Sequence, residues 1–397
     1  MSEHAMSPKG EEPSKRSMSP KGEEPSKRSM SPKGEEPSKR SMSRRRFLKD
    51  VGVATGALIA APYVARRAAA ATTQIVEVGW GGDYQFKHLN QAFAAPFTKE
   101  TGIAVRQVAS PGNMVGTIKA QVENKNPEWD VVAVTPPEGL VLKKQGLLAE
   151  LTYDDDLKAD YPAALLDKHL GPRMYSSNVL TWNTKHFADR QPKTWADLWD
   201  VKRFPGPRVL PAWFPWVNVE MALMASGVPK DQVYPLSDEK VRRGLDKLKE
   251  LRPHVHVFYN AGAQSVQLFA DGEVVFGMLY ENRVREAVKR NVPIGWTLDG
   301  GIMELGYYVV PASSRNKEAA NKFINVAMRR RSQAELVKIN QYGATNPKAY
   351  DLLAPAERDT NLGYSPNLAR QLRLDAAYWL EAGPKYTEAW DSLKAGK

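Results

Sequence analysis

The chain has 397 residues, 42% hydrophobic and 25% charged; these are the proportions of a globular protein and not of a membrane bundle, and the length suits two domains. It contains no cysteine, which excludes disulfides, thiolate metal sites, a cysteine nucleophile and a lipid-bearing cysteine. The net charge of +11 gathers at the N-terminus, where residues 1–71 hold 15 Lys and Arg against 8 Asp and Glu, leaving 41 against 37 for the rest, too even a balance for a nucleic-acid binder.

The unit MSPKGEEPSKRS occurs three times between Met6 and Ser41. It has almost no apolar residue and cannot bury enough surface to offset its ordering entropy, so residues 1–41 are expected to be disordered. Residues 42–71 carry a basic start (Arg44, Arg45, Arg46), a short apolar stretch (Val51–Val64) and small residues suited to cleavage, which are the three parts of an export signal. The apolar part is too short and too rich in Gly and Ala to span a membrane. SRRRFLK (43–49) resembles the twin-arginine export motif. That resemblance implies passage through the twin-arginine machinery, cleavage near Ala70–Thr72 and a periplasmic mature chain.

From Thr72 onward, apolar runs of strand length alternate with helix-period segments. QIVEVGW (74–80), IAVRQVA (103–109) and DVVAVT (130–135) read as strands; 85–100, 114–123 and 138–145 read as helices. A second series follows. NVLTWN (178–183) is a strand, and Thr194 caps a helix with Asp197 three residues on. RVLPA (208–212) is a strand, 216–226 a helix, and 237–251 a helix with Val241, Leu245 and Leu248 on one face. VHVFY (255–259) and EVVFGMLY (273–280) are strands flanking a helix at 263–270. Shorter strands follow at Trp296 and 306–310, then a helical region from Asn316. Buried runs alternating with amphipathic helices imply α/β architecture with helices on both faces of a sheet, and two such series imply two lobes around a cleft.

FTKETGIAV (97–105), WDVVAVTPPEGLVLKKQGLLAEL (129–151), TWADLWD (194–200), DGEVVFGMLY (271–280), VVPASSRNKEAANKFINVAM (309–328) and YWLEAGPKYTEAWDSLKAG (378–396) resemble, in order and spacing, the extracytoplasmic solute-binding proteins of ABC transporters, the spermidine/putrescine type above all. The resemblance implies the type 2 periplasmic binding protein fold, each lobe a mixed sheet flanked by helices, with a hinge of crossing strands. By the same analogy lobe one holds 72–176 and 280–314, and lobe two holds 177–279 and 315–397. It implies a monomer that is not an enzyme and needs no cofactor or metal. Its partners would be a small organic solute and the permease subunits of the inner membrane.

The resemblance also places the site. The first contact loop is Gly79–Tyr84, with Trp80, Asp83 and Tyr84, where glycines let backbone approach a ligand. The second is Thr135–Pro137, with Thr135 as a donor and Pro137 where the family has an aromatic. The third is AWFPWVNVE (212–220). There polyamine binders hold an ammonium with carboxylates, whereas this chain has Trp213, Phe214 and Trp216, and no acid until Glu220. An aromatic face recovers about 0.5–2 kcal/mol by cation–π attraction, too little to replace an ion pair out of water. The fourth is Tyr280, Glu281 and Asn282, and the fifth the GGIMELGY turn (300–307), where Glu304 stands in an aromatic position as a candidate relocated counter-charge. These residues suit an amine or other cation with an apolar body. A sugar, carboxylate or metal-chelate binder, or a periplasmic enzyme on the same scaffold, stays open at this point.

Overall fold

The alternating runs become the strands that their period requires. The computed structural model describes residues 72–81, 83–110, 112–213, 215–340 and 342–397; the repeats and the export signal lie outside them. The strands are β1 (Gln74–Gly79), β2 (Ala104–Ala109), β3 (Val131–Val134), β4 (Gly171–Asn183), β5 (Arg208–Pro211), β6 (Val255–Tyr259), β7 (Phe276–Tyr280), β8 (Ile294–Val309) and β9 (Leu372–Arg373). Their order is β2-β1-β3-β8-β4-β7-β5-β6, with β9 on β8. β1 is parallel to β2 and β3, and β5 is parallel to β6 and β7. The result is a mixed sheet with helices on both faces, the α/β architecture expected.

The two parallel groups are joined by β4 and β8, which run antiparallel for 13 and 16 residues. The sequence marks only parts of both. Arg173, Ser176 and Ser177 interrupt the apolar pattern of β4, and Gly300–Gly301 interrupts that of β8. At about 3.4 Å per residue each strand exceeds 40 Å, enough to run through both lobes. The first half of β4 pairs with Met303–Tyr308, the second half with Ile294–Ile302 and with β7. These are the crossing strands of the hinge.

One core packs around Phe93, Phe97, Val131 and Tyr308. A second packs around Leu180, Trp195, Leu210, Met278, Trp379 and Trp390. The sequence division gives all of 315–397 to lobe two, but the helix Lys317–Met328 lies in the first core. There Phe323 meets Phe97 edge-on, with ring centroids 5.5 Å apart. Its apolar stripe is plain in sequence, yet a stripe does not say which core it faces. The helix Ala376–Lys394 does lie in the second core, through Trp379 and Trp390. Thr194 and Asp197 form the expected capping box, Asp197 Oδ2 accepting from the Thr194 N–H at 2.9 Å.

Candidate functional site

β1, β3, β5 and β7 end at Gly79, Val134, Pro211 and Tyr280, just ahead of Trp80, Thr135, Trp213 and Glu281, the carboxyl ends at which open sheets bind ligands. Two charged clusters lie in this region, carried by the crossing strands.

The first centres on Arg173. It sits on β4 at a register irregularity between Pro172 and Met174 and is 2% exposed. Its guanidinium lies 5.6 Å from the ring centre of Trp80 and 5.0 Å from that of Tyr308. Trp80 itself is 46% exposed. Arg173 Nη1 reaches Met174 Sδ at 3.6 Å, while Nε and Nη2 are buried without a hydrogen-bond partner. Glu77 is nearby but engaged: it accepts from the Tyr308 hydroxyl at 3.0 Å and from Gln107 Nε2 at 2.8 Å. Burial disfavours the guanidinium charge, but Tyr308 and Glu77 outweigh it and hold the pKa above the ordinary arginine value.

The second centres on Glu304 of β8, opposite Ser176 of β4. It accepts from Asn178 Nδ2 at 3.1 Å and is 6% exposed. Tyr280 ends β7 and stacks on Trp213, with centroids 5.9 Å apart and planes 17° apart; Trp213 also meets Tyr259 edge-on at 5.0 Å. The Tyr259 hydroxyl and Asn178 Oδ1 are buried without a partner. Burial and then the charge of Glu220 push the Glu304 carboxyl up to about 7, with Asn178 and Tyr280 pulling the other way. Glu220 is fully buried. It accepts from Tyr234 Oη at 2.7 Å and Trp379 Nε1 at 2.5 Å, and its own pKa is raised by burial despite those donors. No cation pairs with Glu304 or Glu220 among the described residues.

Tyr342 links the clusters. Its hydroxyl accepts from Asn282 Nδ2 at 3.0 Å and Gln85 Nε2 at 3.4 Å, and it acts on the titration of both Arg173 and Tyr280.

The structure thus brings Trp80, Trp213, Tyr280, Asn282 and Glu304 into or beside these clusters. Thr135 is engaged locally: its hydroxyl and N–H donate to Glu138 at 2.8 and 2.9 Å, capping the helix Pro136–Lys144. Trp216 packs on Trp379, centroids 6.1 Å apart, at the edge of the second core. Glu281 is buried in an ion pair with Arg285, so its charge is already answered. The side chains of Asp83 and Tyr84, and all of Phe214, lie outside the described residues. Sequence reasoning missed Arg173, Asn178, Tyr259 and Tyr342. For Arg173 a signal existed: an arginine inside the buried run PRMYSSNVL needs a partner, and none is adjacent in sequence.

Residues 92–363 match the family model for bacterial extracellular solute-binding proteins. The chain is 29% identical over 337 residues to the gamma-aminobutyric acid-binding protein of Pseudomonas aeruginosa, covering 83% of this chain and 94% of that one. It is 27% identical over 320 residues to the spermidine/putrescine-binding periplasmic protein of Escherichia coli, covering 76% and 87%. Among solved structures it is similar to an ABC transporter substrate-binding protein from Bradyrhizobium japonicum, with a TM-score of 0.76 at 34% identity over 81% of this chain and 99% of that one. With the fold shared with that structure, the match shows that the chain belongs to the bacterial extracellular solute-binding protein family.

Proposed function

We propose that this protein is the solute-binding component of an ABC importer, that it captures a small amine outside the inner membrane, and that Glu304 receives the ammonium. The observation that carries this reading is the buried Glu304 carboxylate beside the Trp213–Tyr280 stack, with Glu220 near it and no cation paired with either among the described residues. The loop after β5 carries aromatic residues and no acids, so the counter-charge comes from a crossing strand instead. An incoming ammonium satisfies Glu304 and stands against ring faces, each worth about 0.5–2 kcal/mol. The polyamine- and aminobutyrate-binding relatives support an amine ligand.

Capture needs the lobes to close. β4 and β8 carry the motion, and the register irregularity between Asn178 and Leu180 is a place where a hinge absorbs backbone change. The closed monomer then docks on the permease, after export by the twin-arginine route and cleavage near Ala70–Thr72. Trp80, Trp213, Tyr280, Asn282 and Glu304 form the working contact set; Asp83 and Tyr84 complete the first loop, and Thr135, Trp216 and Glu281 shape its surroundings.

Titration calorimetry of the purified protein with mono- and diamines at pH 8, followed by recovery of the solute, tests this. The expected result is saturable binding with the solute returned unchanged. Failure of every amine refutes the reading, and chemical conversion of one replaces it with an enzyme.

A further inference from the structure

We propose that a second solute site lies behind the hinge, on the face of β8 opposite Glu304, and that it takes a small carboxylate with an apolar body at Arg373. This does not rest on the amine reading of Glu304. Successive side chains of a strand point to opposite faces. Glu304 and Tyr308 belong to the charged clusters, so Leu305 and Tyr307 of the same strand face away from them. Those two line a separate cavity of about 380 Å³, within the range of small-molecule sites.

Both lobes build this cavity. Leu140 comes from the helix Pro136–Lys144, whose Leu142 packs on Val132, Val134 and Val309. Ala377 comes from the helix Ala376–Lys394 of the second core, and Leu374 from the segment before it. Lys144 and Glu381 pair at 3.4 Å across the same two helices. Clefts between domains are favoured places for a ligand.

The charged and polar groups around the cavity are not equally free. Arg373 stands opposite Met303 in the pairing of β9 with β8. It is exposed, and no carboxylate pairs with it among the described residues. Burial raises the hydroxyl pKa of Tyr175 and Tyr307, and the Arg373 charge works against that rise in both, so it stands close to them. Asp375, the one acid in the lining, is engaged: it accepts from the Tyr378 N–H at 3.0 Å and caps the helix that follows. The Tyr234 hydroxyl is given to Glu220. Arg373 is therefore the charge left for a ligand, and a guanidinium takes a carboxylate through two parallel hydrogen bonds. Leu140, Leu305, Leu374 and Ala377 reward an apolar body on that carboxylate, which a compact hydrated anion such as phosphate lacks.

Calorimetry of the purified protein with benzoate and hexanoate tests this, with acetate, benzyl alcohol, benzylamine and inorganic phosphate beside them. We expect one saturable site for benzoate and hexanoate, about tenfold or more tighter than for acetate, and no binding of the alcohol or of phosphate. Arg373→Gln should weaken benzoate about three- to tenfold, between the worth of an exposed ion pair and that of a buried charged hydrogen bond. Ala377→Phe fills the cavity from an exposed position and should abolish benzoate binding while melting as wild type. Arg173→Lys lies on the other face and should leave benzoate unchanged. The absence of saturable benzoate and hexanoate binding overturns the proposal. So does phosphate or benzylamine bound as tightly as benzoate. Benzoate weakened by Arg173→Lys and not by Arg373→Gln also overturns it, by placing the carboxylate in the cleft. Should Arg173→Lys fail to fold, Ala377→Phe decides: benzoate binding that survives it refutes the site.

Discussion

Glu304→Gln should make the protein more stable and nearly blind to amines. Burial and Glu220 raise the Glu304 carboxyl from 4.5 to about 7, so the folded chain holds a proton that the unfolded chain has released. The stabilising contribution of that proton is full below pH 4.5 and is lost as pH rises through about 7. At about 1.4 kcal/mol per pH unit the interval amounts to about 3 kcal/mol. Glutamine keeps an oxygen for Asn178 and never ionises. At pH 8 the unliganded variant should therefore melt higher by about 4 °C for a folded body of roughly 330 residues, and the gap should close by pH 4.5. The same substitution removes a charge-assisted contact to the ammonium, worth about 1.5–3 kcal/mol or roughly ten- to a hundred-fold in Kd. Thermal melts from pH 4.5 to 8 and calorimetry with an amine read the two effects separately. A variant less stable than wild type at pH 8 would mean instead that the buried carboxylate is already answered in the unliganded protein.

Amine affinity of the wild type should fall about tenfold from pH 8 to pH 6, as a carboxyl titrating near 7 takes up its proton; Glu220→Gln should move that fall to lower pH, since Glu220 pushes Glu304 up. Both are read by calorimetry across pH. Trp213→Ala removes one face of the aromatic wall and should weaken amines about two- to thirty-fold, the range of one cation–π contact; it also loses the packing on Tyr280 and Tyr259 and should melt lower, so affinity is read well below its melting point. Replacing Arg44 and Arg45 together by lysine should hold the precursor in the cytoplasm, as fractionation and immunoblotting would show; processed protein in the periplasm would mean another export route.

Local order was legible in the sequence where neighbouring residues decide it. Val131–Val134 is a buried run, Val241, Leu245 and Leu248 mark a face, and Thr194 with Asp197 caps a helix; each appears as read. The crossing strands were only half visible. β4 carries Arg173, Ser176 and Ser177 within its buried run, and β8 carries Gly300, whose φ of 71° suits a residue without a Cβ. Polar residues and a glycine broke the very patterns by which strands are read. The fate of Lys317–Met328 was hidden for another reason: its stripe of Ala320, Phe323, Ile324 and Ala327 suits either core, and only long-range packing chooses. The site followed the same division. Trp80, Tyr280 and Glu304 were visible because each lies in a short stretch that resembles the family's contact loops. Arg173 was not, nor the closeness of Glu220 to Glu304, 84 positions apart in sequence, because folding alone brings such residues together.

A crystal structure of the protein with its tightest-binding amine would show whether Glu304 receives the ammonium. The nitrogen should lie about 2.7–2.9 Å from a Glu304 oxygen, beside the rings of Trp213 and Tyr280, with the solute enclosed by both lobes. An amine held at Glu281 or on the outer surface, with Glu304 still bonded only to Asn178, would contradict that placement.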